Sequence, residues 1–343
     1  MKKLLFYTFI IMSIVKVDAQ IGNSIYAFLN LPVSARAAAL GDSNVSLSDG
    51  DANFVFRNPA TLNAETDKML GLNMTNYVAD ITFGTGVYSF RYHNLMFATG
   101  MQFVNYGKFD GRDPIDAETG FFGAQDMALY LSCAYPLNRY FTVGATTKPI
   151  VSVYEAYTSW GLAWDAGVHF DDTAHLFSAG LVFRNAGFQF KGYYKDEQGQ
   201  HYEKLPFEIE LGISKKLTHA PFRFSLTLHD LQIWNLNYAT TINKPSVDKN
   251  TAKKQPNFID MAFRHAIIAV EFVPSKNFYL AASYNHRRFQ ELSMDGFKSV
   301  TGFSFGGGIK IYKFQAGFGL TQFQLGNYSY QFSLSTSLSE FGL

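Results

Sequence analysis

The chain has 343 residues and a net charge of +1, with 29 Lys and Arg against 28 Asp and Glu, so nothing in its charge points to nucleic acid as a partner. Aromatic side chains make up 17% of it, including 34 Phe and 20 Tyr, which is high for a soluble domain and fits a barrel with aromatic girdles at two membrane interfaces. Cys133 is the only cysteine, which excludes an intramolecular disulfide and a cysteine-based metal cluster.

Lys2 and Lys3, the apolar stretch Leu4 to Val15, and Val17-Asp18-Ala19 before Gln20 read as a signal peptide over residues 1–19. No later apolar run approaches the ~20 residues that a membrane helix needs. A secreted soluble protein or an outer-membrane barrel remains.

Residues 20–67 lack a strand period. Ser34-Ala35-Arg36-Ala37-Ala38-Ala39-Leu40-Gly41 has a capping Ser, helix-forming alanines and a closing Gly, which predicts a short helix. Asn58-Pro59-Ala60-Thr61-Leu62 predicts a turn that opens a second one, with Pro in its first turn. Asp42, Asn44 and Ser46 have the spacing that opens a calcium loop. Leu47 stands where that loop needs Gly and Asn53 where it needs Glu, so a plain polar loop is expected. This strandless segment should be either a cap outside a barrel or a plug within it.

From residue 68 to 343 the period of two takes over, and fourteen strands are expected. They run at about 69–78, 82–92, 95–105, 124–135, 139–148, 159–170, 175–185, 205–214, 221–229, 262–273, 277–287, 300–311, 313–321 and 327–338. In the last, Tyr328, Tyr330, Phe332 and Leu334 alternate with Ser329, Gln331, Ser333 and Ser335. Likewise Phe222, Phe224, Leu226 and Leu228 oppose Arg223, Ser225, Thr227 and His229. The pattern is weakest at 82–92, 175–185 and 300–311, where both faces carry apolar residues or glycines. Short connections such as His93-Asn94 and Pro274-Ser275-Lys276 alternate with mostly long ones at 106–123, 149–158, 186–204, 230–261 and 288–299. Segregation of loop lengths between two ends is the mark of an all-β, fourteen-stranded antiparallel transmembrane barrel rather than a sandwich. An even strand number puts both barrel termini on the periplasmic side.

Several stretches carry a family resemblance. Ala27-Phe28-Leu29-Asn30-Leu31-Pro32-Val33-Ser34-Ala35-Arg36-Ala37-Ala38-Ala39-Leu40-Gly41, with Asn44 to Asp49, resembles the N-terminal region of the PorV/PorQ family of type IX secretion outer-membrane proteins, on its PorQ branch. Val104 to Asp110 fits as well, as do Leu205 to Leu217 and Ala220 to Leu228. The resemblance implies a FadL-like barrel with an N-terminal hatch over residues 20–67, in which Asn58, Pro59 and Ala60 are the shared hatch element. It also implies a non-enzymatic component of the cell-surface attachment complex. There it would hold a PorZ-like protein near PorU, which carries the peptidase activity, and PorV, while cargo is joined to anionic lipopolysaccharide. The alternative is a FadL-like channel for uptake of a hydrophobic small molecule.

The residues themselves offer little chemistry, and neither a catalytic set nor a cofactor is expected. His169, Asp171, Asp172 and His175 crowd one turn, read as a solvated periplasmic turn rather than a metal site. Gly306-Gly307-Gly308 lies within a strand, so it does not cradle phosphate. Glu208 and Glu210 share one polar strand face, and a lumen ion pair between Glu210 and Arg223 of the next strand is expected. Lys244, Lys249, Lys253 and Lys254 cluster in the loop from Thr240 to Pro256, which suits a solvated loop or, more sharply, contact with an acidic partner or anionic polysaccharide.

Overall fold

The computed structural model describes residues 24–77, 81–113, 115–197, 199–236, 257–292, 300–324 and 327–342. The expected signal peptide and the lysine-bearing stretch 240–256 lie outside the described residues. Fourteen antiparallel strands, each beside its sequence neighbour, close into a barrel. We number them β1 (Met69–Asn76), β2 (Thr82–Tyr92), β3 (Leu95–Arg112), β4 (Glu118–Pro136), β5 (Phe141–Tyr154), β6 (Tyr157–Asp172) and β7 (Phe177–Lys191). The others are β8 (Glu208–Lys216), β9 (Phe222–Leu228), β10 (Ala266–Ser275), β11 (Phe278–Asn285), β12 (Phe303–Ile311), β13 (Phe314–Gln324) and β14 (Asn327–Ser337). β14 closes the ring on β1, with Leu334 opposite Leu72 and Phe332 opposite Met74.

The alternation read along the chain becomes the two faces of this wall. Tyr330, Phe332 and Leu334 are exposed on the outside, while Ser329 and Gln331 are buried on the inside. On β9, Phe222 and Phe224 point out and Arg223, Ser225 and Thr227 point in. Rows of exposed aromatic and aliphatic residues around a closed barrel are the lipid-facing surface of an outer-membrane protein. Phe224→Lys should therefore cost about 2–4 kcal/mol if it lies near the bilayer midplane, measured by unfolding in lipid. A Phe224→Lys variant as stable as Phe224→Leu would contradict this face assignment. The inward side meets the inner segment here: Ser225 bonds Ser214 at 2.8 Å, and Ser214 bonds Ser46 of that segment at 2.7 Å.

Two expected long loops are largely strand. Most of the stretch 106–123 belongs to a tall β3–β4 hairpin with Phe109 stacked on Phe122 at 5.3 Å, and near its tip Asp113 N–H donates to Ala117 C=O at 3.0 Å. A bulge between Asn105 and Lys108, with Gly107 at φ 87°, breaks the period and hid the continuation. In place of the 149–158 loop, β5 and β6 meet across Glu155-Ala156, a turn without the usual Asn or Gly, which places Glu155 at φ 54°. Pro149 sits inside β5, where the β4–β5 ladder skips from the Ala128–Ile150 pair to the Leu131–Thr147 pair, so its missing N–H breaks no bond there. The connections 192–207, 229–265 and 286–302 remain long. They carry a short two-stranded ribbon at 195–200 and two helices, α2 (Phe258–Arg264) and α3 (His286–Leu292), where strand ends were expected.

Residues 24–66 run through the lumen. Ser24 and Ile25 lie against Lys204 at the long-connection end, and β1 starts at the short-turn end, where Leu338 N–H donates to Lys68 C=O at 2.8 Å. Between them lie the helix α1 (Ala35–Ala39) and several single turns, among them Ala52–Phe56 and Pro59–Thr61. Phe28, Leu29, Leu40, Leu47, Phe54, Phe56 and Leu62 form their core against Phe83, Val87, Tyr130 and Ile150 of the wall.

Candidate functional site: the seat of the inner segment

Local sequence makes each hatch element and the wall makes room for it. Ser34 caps α1, its hydroxyl accepting from Ala37 N–H at 3.1 Å. The alanines that favour helix also keep it thin enough to lie on β12 and β13. There, a Cβ on Gly306 would come within 2.7 Å of Ala39 Cβ, and one on Gly319 within 2.7 Å of Ala35 C=O. Gly306 thus receives the helix, while Gly307 and Gly308 make room for Leu280 and the Tyr279 ring of the neighbouring strand, which is why that strand's pattern looked blurred.

Asn58, Pro59 and Ala60 sit on the opposite wall. Asn58 Oδ1 accepts from Ala60 N–H at 3.0 Å, and its Nδ2 donates to Val45 C=O at 2.9 Å and Val168 C=O at 3.4 Å. Four wall glycines form the shelf beneath. Gly144 pairs with Gly167 across β5 and β6, and Gly180 with Gly212 across β7 and β8. A Cβ would lie 2.5 Å from Pro59 C at Gly144, 2.1 Å from Asn58 Oδ1 at Gly167 and 2.0 Å from Val45 C=O at Gly180. Real side chains do not tolerate such distances. The sequence reading found the turn and missed the shelf, although a glycine in four successive strands was its available signal.

Two charged clusters tie hatch to wall. In the lower one, Arg36 of α1 donates to Glu271 through Nε at 3.0 Å and to both oxygens of Asp49 at 3.0 and 2.7 Å. Arg223 donates to the same two acids, at 2.6 Å to Glu271 and 2.8 Å to Asp49. The result is a closed ring of four charges, two from the hatch and two from the wall, with Asp51 of the hatch a further 3.9 Å from Arg36. In the upper cluster, Arg184 binds Glu208 at 3.0 Å, Glu210 at 2.8 Å and the hatch carbonyl of Leu29 at 3.2 Å. Lys148 pairs with Asp165 at 2.6 Å, and Asn185 joins Lys148 to Asn30 of the hatch. A third tie links Arg288 to Asp42.

The expected Glu210–Arg223 pair is therefore corrected. Glu210 pairs with Arg184 on one neighbouring strand, and Arg223 with Glu271 on the strand beyond. The reason is register: Lys216 opposes Arg223 and Gly212 opposes Thr227, which puts Glu210 level with His229. Six residues separate that level from Arg223, roughly 20 Å of strand. His169 and His175 do not meet either. His169 is buried against Ser46 C=O at 2.9 Å, and exposed His175 bonds Asp172 at 2.6 Å.

One trio of potential metal ligands occurs among the described residues, Glu208, His229 and Asp230. Arg184 already holds Glu208, and Arg287 and His229 both hold Asp230, at 2.5 and 2.8 Å. The chemistry of the site is thus neutralised ion pairs that fasten a plug.

No protein-family model matches the chain, and no curated protein matches it. Solved structures do. The CymD monoaromatic hydrocarbon channel is 14% identical at a TM-score of 0.56, over 90% of this chain and 98% of that one. The toluene transporter TodX of Pseudomonas putida is 10% identical at a TM-score of 0.56, over 89% and 97%. At these identities the likeness is one of fold: the chain is a closed fourteen-stranded antiparallel barrel of the FadL-like outer-membrane type.

Proposed function

We propose that this chain is a non-enzymatic outer-membrane component of a type IX secretion attachment complex, a closed barrel whose outer connections hold a PorZ-like surface protein. PorU and PorV would be its neighbours, and cargo would be joined there to anionic lipopolysaccharide. The observation that carries this reading is the double fastening of the hatch. Arg36 and Asp49 are locked to Arg223 and Glu271, and Leu29 and Asn30 to Arg184 and Asn185, so paired charges and hydrogen bonds join hatch to wall across the lumen instead of lining a path. Breaking such pairs costs about 3–5 kcal/mol each, a poor arrangement for a hatch that must move at every passage. The family resemblance of residues 27–49, 205–217 and 220–228 supports the choice of complex.

The second reading, a channel for a hydrophobic small molecule, is favoured by the fold shared with CymD and TodX. On the wall side, the β2–β3 ladder runs unbroken from Thr82–Asn105 to Tyr92–Leu95, with no gap between these strands. Purification from native membranes decides between the two. Co-purification of a PorZ-like protein, lost when the outer connections are trimmed or when Lys244, Lys249, Lys253 and Lys254 are replaced together, is the expected result. Toluene flux through the purified barrel in liposomes, with no protein partner retained, would favour the channel instead.

A further inference from the structure

The strand wall is not equally tall all round. β9 has 7 residues and β11 has 8, against 19 in β4. At ~3.3 Å per residue and ~40° tilt, β9 rises roughly 18 Å, short of the ~25 Å apolar band that outer-membrane barrels present to lipid.

Just beyond the outer end of β9, the chain carries large apolar side chains that belong to no strand. Leu231, Trp234, Phe258, Ile259 and Phe263 are exposed by 41, 53, 72, 64 and 52%. Trp234 stacks on Phe258 with ring centroids 5.0 Å apart, and also on His265, the residue that caps α2 and leads into β10, at 5.4 Å. His229 N–H donates to His265 C=O at 2.9 Å, which extends the β9–β10 pairing up to this patch.

The helix α2 is two-sided. At ~100° per residue, Phe258, Ile259 and Phe263 fall within about 140° of its circumference, and Asp260, Met261 and Arg264 fill the other side. That other side is fastened to the protein. Asp260 accepts from His286 of α3 at 2.9 Å and from Arg264 at 2.8 Å, and Met261 is buried with its sulfur accepting from Leu236 N–H at 3.3 Å. Below the patch the outward row continues through Ile268, itself 46% exposed, into the lipid-facing surface of β10.

We propose that α2 and Trp234 are part of the membrane surface of this protein: they lie in the outer leaflet and complete the apolar band where β9 and β11, on either side of β10, are too short. The occupant of the patch is lipid, acyl chains against Phe258, Ile259 and Phe263 and the interfacial zone against Trp234. A helix is about 10 Å thick, and α2, joined to β10 and stacked through Phe258 on Trp234 beyond the end of β9, supplies apolar surface of the height that β9 lacks. The assignment holds whether the barrel is a platform or a channel.

The test uses the full-length protein with Trp160→Phe and Trp164→Phe, which leaves Trp234 as the only tryptophan, excited at wavelengths that tyrosine does not absorb. In phosphatidylcholine vesicles with bromine near the carbonyl end of the acyl chains, Trp234 emission should fall about twofold relative to unbrominated lipid, as for an interfacial indole. Aqueous iodide should quench it at least about fivefold less than free tryptophan. Iodide quenching equal to that of free tryptophan, with no bromolipid effect, would overturn the proposal in favour of a free surface. Quenching by neither reagent would overturn it in favour of a protein cover. An independent reading comes from a nitroxide on Ile259→Cys in a Cys133→Ser background. It should be more accessible to oxygen than to an aqueous nickel chelate, and the reverse order would also overturn the assignment.

Discussion

Glu271→Ala is expected to lower stability by about 3 kcal/mol and to loosen the hatch. Glu271 is fully buried and is the one wall carboxylate that both Arg36 and Arg223 use. Its removal leaves the two guanidinium groups sharing Asp49, with only Asp51 at 3.9 Å from Arg36 besides, and an under-compensated buried charge is what makes half-broken ion pairs expensive. The midpoint of heat-modifiable migration should drop, and protease should gain access to residues 24–66. Asp49→Asn should cost less, because 34% of that side chain is already open to solvent and Glu271 still bridges both arginines. The double change Arg223→Met with Glu271→Met should recover much of the loss, since apolar replacement of a whole buried pair is often neutral. If Asp49→Asn proved the more damaging of the two single changes, the ring would not be held from the wall side.

Gly144→Ala should destabilise by about 1–3 kcal/mol while Gly86→Ala should not. Alanine normally improves a strand over glycine, so the sign alone is diagnostic. At Gly144 the added methyl would sit 2.5 Å from the Pro59 carbonyl carbon and 2.6 Å from Ala60 N, both backbone atoms that cannot swing aside. At Gly86 the nearest atom is Leu72 Cδ2 at 3.5 Å, an ordinary contact on the outer face. Gly144→Ala should also raise leakage of a small hydrophobic solute through the reconstituted barrel, because it lifts the Asn58-Pro59-Ala60 turn off its shelf. Equal stability of the two variants would show that the shelf does not bear the hatch.

Legibility followed the range of the interactions. Alternation is a property of neighbours two apart, so the outward Phe224 and inward Ser225 could be read before any partner was known. Asn58 and Ser34 announced their turns because a cap acts within three residues. The ring of Arg36, Asp49, Arg223 and Glu271 joins positions up to 235 apart in the chain, and no local pattern encodes it. The misassigned partner of Glu210 has the same origin: two strand faces were recognised, but their relative register depends on a turn at 217–221 whose geometry the residues did not reveal. The strands beginning at 175 and 300 read weakly because Gly180 and Gly306 of their inward faces answer to the hatch rather than to the strand, whereas in the strand beginning at 82 the glycines Gly84 and Gly86 interrupt the outward row.

Taken alone, the order of residues determined a barrel wall with a greasy outside, its number of strands and the end that carries long connections, since each rests on period and spacing. Folding in three dimensions decided that residues 24–66 plug the lumen, that the inward charges face the plug in closed pairs, and that two expected loops are tall hairpins. The physical reason is that burial is not a local quantity. A buried Arg or a glycine shelf is tolerable only when a distant segment arrives to neutralise or fill it, and that arrival is set by barrel closure.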